Sequence, residues 1–76
     1  MTHLPVVDYK TMEKILFDLG FTCSRSKGAH FFYRHPDGRT TTLPLHAGRD
    51  IARPLLREIL KEIEISPEQF TQLLRK

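Results

Sequence analysis

A chain of 76 residues with net charge +3, 39% hydrophobic and 28% charged, has room for one domain with a thin core and none for a long disordered arm. The single cysteine, Cys23, excludes an intramolecular disulfide framework. With no charged-then-apolar leader and no apolar run of spanning length, the expectation is one domain over residues 1–76 in the cytoplasm, with no membrane association.

The charge is unevenly placed. Residues 1–23 and 58–76 each carry a net −1, whereas residues 24–57 set Arg25, Lys27, Arg34, Arg39, Arg49, Arg53 and Arg57 against Asp37 and Asp50, a net +5. Six of these seven cations are arginine, whose planar fork suits phosphate and base edges better than the point charge of lysine. A basic middle is either a solvated face or a footprint for nucleic acid.

In chain order, Met1 to Val7 reads as a frayed lead-in. Asp8 is an N-cap for a helix running to about Leu19, with Met12, Ile15, Leu16 and Leu19 at helical spacing and Gly20 as its stop. Phe21 to Arg25, His30 to Arg34 and Thr40 to Leu45 are short, aromatic and β-branched segments separated at Gly28 and Gly38, which predicts a three-stranded antiparallel meander. The stretch His35-Pro36-Asp37-Gly38 is a strong turn, because Pro36 presets its φ and Gly38 accepts a positive one; Arg25-Ser26-Lys27-Gly28 is a weaker version. Pro54 suits the first turn of a second helix with Leu55, Leu56, Ile59, Leu60 and Ile63 as its stripe. Ser66 to Gln69 forms a capping box for a short third helix carrying Phe70, Leu73 and Leu74. The fold class is therefore α+β, in the order α-β-β-β-α with a C-terminal helix and with helices on one face of the sheet.

Strand parity then sorts the side chains. If Phe31, Tyr33, Leu43 and Leu45 point toward the helices, then His30, Phe32, Arg34, Thr42, Pro44 and His46 face away. That second set combines a proton-transfer group, a stacking surface and a phosphate clamp, the mixture that handling of single-stranded RNA requires. The competing arrangement buries Phe32 beneath the third helix.

RNA carries its own nucleophile in the 2′-OH, so a histidine near an arginine suffices for cleavage without a metal. His30 has Arg25, Lys27 and Arg34 close in sequence; the alternative is a plain surface histidine at a strand end. His46, where the third strand leaves the sheet, is a second acid/base candidate or a structural neighbour of the next loop. His35 and His3 receive no role. Cys23, His30, His35 and His46 lack the close ligand pairs of a structural zinc site, and Asp37 and Asp50 do not suffice for a two-metal nuclease, so no cofactor is expected. Cys23 itself lies in an apolar strand pattern and reads as packed core.

The stretch LGFTCSRSKGAHFFYRHPDGRTTTLPLHAGRDI, followed by LLREIL, resembles the HicA toxin family of messenger-RNA interferases from Gly20 to Leu60. The resemblance implies a double-stranded-RNA-binding-domain-like fold and metal-independent cleavage of messenger RNA. It also implies a HicB-type antitoxin as partner, the toxin being a monomer alone and part of a hetero-oligomer with it. It places the catalytic histidine on His30. The RNA-contacting set expected from the residues themselves is Arg25, Lys27, Gly28, Phe32, Arg34, Arg39 and His46. Family members usually carry serine or threonine at the position of Ala29. That departure is the one feature favouring a different class, a non-catalytic RNA-binding or protein-docking module of the same fold, and turnover separates the two.

Overall fold

The computed structural model describes residues 4–44 and 48–75. Its elements run α1 (Tyr9–Asp18), β1 (Thr22–Lys27), β2 (His30–Arg34), β3 (Thr40–Pro44), α2 (Arg53–Glu62) and α3 (Pro67–Leu74). The sheet is an antiparallel meander in the order β1-β2-β3, with α1 and α2 against the same face, so the expected α+β architecture stands.

Local chemistry sets the boundaries. Asp8 caps α1 by accepting a 2.8 Å bond from the Thr11 N–H, which holds its carboxyl below the usual carboxylate range. The helix ends in a Schellman motif: the Phe21 N–H reaches the Leu16 carbonyl, the Gly20 N–H reaches Phe17, and Gly20 takes φ +102°. That turn drops Phe21 into the core at 1% exposure and starts β1 one residue later than its aromatic content suggests. β1 also runs on to Lys27, because the connection to β2 is a two-residue hairpin loop of Gly28 and Ala29. Positive φ at the first central position alone is the type II′ pattern, which matches strand twist better than the turn expected two residues earlier.

Residues 4–7 are docked and not frayed. Leu4 and Val7 are buried, the Ile51 N–H donates to the Val7 carbonyl at 2.8 Å, and Arg53 Nε donates to the Leu4 carbonyl at 3.0 Å. An isolated bridge between Asp8 and Asp50 continues this pairing. A thin domain gains from every apolar residue it can cover, and the lead-in supplies two.

The core joins Met12, Ile15 and Leu16 of α1, Tyr33 and Leu43 of the sheet, Leu56, Ile59 and Leu60 of α2, and Phe70 of α3. Tyr33 crosses it and donates its O–H to Glu13 of α1, and burial together with that carboxylate pushes the phenol's pKa well above its ordinary value. The unfolded chain ionises this group near pH 10 while the folded chain keeps it neutral, so its contribution is intact below about pH 10 and is lost as pH rises further. Urea titrations at pH 8 and pH 11 should show a fall in stability that is shallower in Tyr33→Phe.

Candidate nucleic-acid interface

The register settles which side chains share the uncovered face. His30 lies opposite Pro44, Phe32 opposite Thr42 and Arg34 opposite Thr40, while Phe31 pairs with Leu43 and Tyr33 with Thr41 on the helix side. Tyr33, Thr41 and Leu43 are buried and Arg34 and His30 exposed, so the parity expected from sequence holds over the described residues, Leu45 lying outside them. Phe32 is half-buried on the bare face beneath the Arg25 guanidinium, 4.7 Å from its ring centroid, and not under α3.

β1 reaches this alignment through a bulge. Cys23 pairs with Tyr33, but Arg25 and not Ser24 is the register partner of Phe32, and Lys27 then pairs with His30. Without the extra residue Arg25 would fall to the helix side; with it, Arg25 and Lys27 stand on the face of His30 and Arg34. The Ser24 hydroxyl fixes the bulge by donating to the Phe32 carbonyl at 3.1 Å. Ser24, Arg25, Phe32, Arg34, Thr40 and Thr42 line a shallow groove of about 340 Å³ that also takes in Tyr33, Thr41 and Glu62. Sequence reasoning missed Ser24, Thr40 and, as a groove residue, Glu62. Thr40 was accessible once strand three was set opposite Arg34, whereas nothing in the sequence marks the bulge.

His30 opens β2 directly after the hairpin loop and is exposed. Its side chain makes no hydrogen bond or ion pair with another described residue. The β pairing puts the Lys27 backbone about 5 Å away across the strands, and Phe32 and Arg34 follow along β2 at intervals of about 7 Å. Gly28 and Ala29 form the loop tip at the same end.

Arg39 goes elsewhere. Its Nε donates to Asp37 at 2.8 Å, a second nitrogen donates to the Ile63 carbonyl, and its guanidinium lies 5.3 Å from the Phe21 ring centroid. Those contacts tie the turn after β2 to the end of α2. His35 does the same for α1. One ring nitrogen meets the Leu19 carbonyl at 3.1 Å, the other takes the Asp37 N–H, and the ring packs edge-on against Phe21. Asp37, bonded to the Arg39 N–H and side chain, is held below the usual carboxylate range. His46 lies outside the described residues. Cys23 is exposed and not packed, because β1 projects past the helix layer. Among the described residues, no three His, Cys, Asp or Glu side chains converge as a metal-holding group, and no helix is long and apolar enough to cross a membrane.

Fold and site together define a class, a small α+β domain with one sheet face closed by helices and the other bare, cationic and carrying a free imidazole. The chain belongs to the HicA toxin family: the model for the HicA toxin of bacterial toxin–antitoxin systems matches residues 9–65, well over half its length. Toxins of this family are generally ribonucleases and pair with an antitoxin. No curated protein matches the chain.

Proposed function

We propose that the protein is the toxin of a type II toxin–antitoxin system, a metal-independent endoribonuclease of messenger RNA neutralised by a HicB-type antitoxin. The observation that carries the reading is His30, an imidazole with no structural partner among the described residues, in register with Lys27 on the face that also presents Arg25 and Arg34. His30 takes the proton of the 2′-OH as that oxygen attacks the adjacent phosphorus, and the proton is returned to the departing 5′ oxygen as its bond to phosphorus breaks. The products are a 2′,3′-cyclic phosphate and a 5′-hydroxyl. Lys27 and the arginines hold the non-bridging phosphate oxygens, where negative charge grows in the transition state. Phe32 with its stacked Arg25 offers a surface for an unpaired base.

The test compares a transcript with its 2′-deoxy counterpart in EDTA. Cleavage of the RNA alone, leaving cyclic phosphate ends, supports the reading; equal cleavage of DNA, or dependence on a divalent ion, would sink it.

Binding carries a separate expectation. Three cations on the face, Arg25, Lys27 and Arg34, give a slope of log affinity against log salt of about −2 for single strands. Arg34→Gln should flatten the slope by about 0.7, and Arg39→Gln should leave it unchanged, as measured by titration across a salt series.

A further inference from the structure

We propose that the antitoxin docks on the free edge of β1 by adding an extended segment of its own chain to the sheet, acidic side chains toward the bare face and apolar ones toward the helix face. This rests on membership of a family whose toxins pair with antitoxins, and not on the catalytic role of His30.

β1 is a terminal strand, and all six of its residues are exposed. An ordinary edge strand of a two-layer domain buries every second side chain against the helices. Here Cys23 and Ser26, which share the covered face with Tyr33 and Phe31 by register, remain open to solvent. The helix layer is centred elsewhere: α2 packs against β3, with Thr41 bonded to Glu62, and α1 is anchored over the central strand by the contact of Tyr33 with Glu13. β1 is thus a strand with an unpaired ladder and two unpacked faces, the geometry that strand addition uses.

The two faces specify different partners. On the bare side, Arg25 and Lys27 project from β1 itself, and a strand laid beside it brings its own side chains to about 5 Å from theirs. Like charges at that spacing disfavour a second copy of this chain and favour carboxylates. On the helix side a large apolar group stands open at Phe17, 48% exposed, its ring 6.0 Å and edge-on from Tyr33, the register partner of Cys23. An added strand alternates its side chains with period two, so acidic and apolar residues in alternation satisfy both faces. Carboxylates on Arg25 and Lys27 would also occupy the cations that hold RNA phosphates, which makes docking at this edge inhibitory.

The hairpin loop identifies the backbone to test. A two-residue loop makes Lys27 and His30 the hydrogen-bonded pair, so the Ser26 N–H points outward from the sheet. Ser26→Pro removes that donor at an edge position where proline is tolerated. Affinity for the cognate antitoxin should fall about 100-fold or more in Ser26→Pro and about 10-fold in Phe17→Ser, with circular dichroism and RNA cleavage unchanged. In the complex of the unsubstituted proteins, amide hydrogen exchange in β1 should slow at Ser26 relative to the free toxin. Parent-like affinity of both variants, unchanged exchange at Ser26 on complex formation, or a β1-mediated dimer of the toxin alone would each overturn the proposal. Should Ser26→Pro fail to fold, Phe17→Ser and the exchange measurement decide. A toxin inactive on RNA that still shows these binding effects would refute the ribonuclease reading and leave this one intact.

Discussion

Replacing His30 with alanine should lower RNA cleavage in EDTA by about two to four orders of magnitude, the usual contribution of a positioned proton donor or acceptor. The same change should move stability by no more than about 0.5 kcal/mol, since the side chain is exposed at a strand end and bonds to no other described residue. RNA affinity should also hold within a few-fold, because Arg25, Lys27 and Arg34 supply the phosphate contacts and remain in place. Loss of turnover with retained binding and folding is the pattern of an acid/base residue. Loss of binding in proportion would make His30 a phosphate contact, and parent-like cleavage would remove it from the mechanism. The decisive measurements are single-turnover rates, a binding titration and a urea melt on both proteins.

Strand parity makes most of the site legible in the sequence alone. Phe31, Tyr33 and Leu43 against His30, Phe32 and Arg34 is a period-two pattern, and burial of one set forces exposure of the other. Arg25 and Lys27 joined that face for a reason the sequence does not display, because a bulge at Ser24 depends on how β1 meets its neighbour and not on any residue type of its own. Arg39 and Arg25 look alike in a charge count. The difference is that Asp37, Phe21 and the Ile63 carbonyl converge on Arg39 from three separated stretches of chain, a convergence only tertiary structure creates. The same blindness to tertiary partners made Leu4 to Val7 look frayed, since the groups they bond lie more than forty residues away in sequence. Cys23 was misread in the opposite sense. Its strand pattern implies packing, but the helix layer does not extend over it.

Phe70→Ala should cost about 3–5 kcal/mol, the usual range for truncating a fully buried phenylalanine. This is the largest stability effect expected, although Phe70 lies beyond the residues matched by the family model, which end at 65. The intervening chain is built to bring it back. α2 closes in a Schellman motif, with the Ile65 N–H on the Leu60 carbonyl and the Glu64 N–H on Lys61, and Glu64 takes φ +60° where glycine is usual. That left-handed residue costs about 1–2 kcal/mol, a strain retained because the reversal delivers α3 to the core. Ser66 and Gln69 then cap α3 reciprocally, at 3.1 and 2.9 Å. Leu73 and Leu74 pack against the core that holds Met12, Ile15 and Leu16 of α1, so α3 also supports the helix that anchors Tyr33. With total stability of a small domain on the order of 5–15 kcal/mol, and with each kcal/mol worth about 4–8 °C at this size, the variant should melt at least about 12 °C lower. A loss under about 1 kcal/mol would show α3 to be an appendage on a core that closes without it; a large loss accompanied by a matching fall in RNA cleavage at 37 °C would show that the bare face keeps its geometry only while the helix layer behind it is complete.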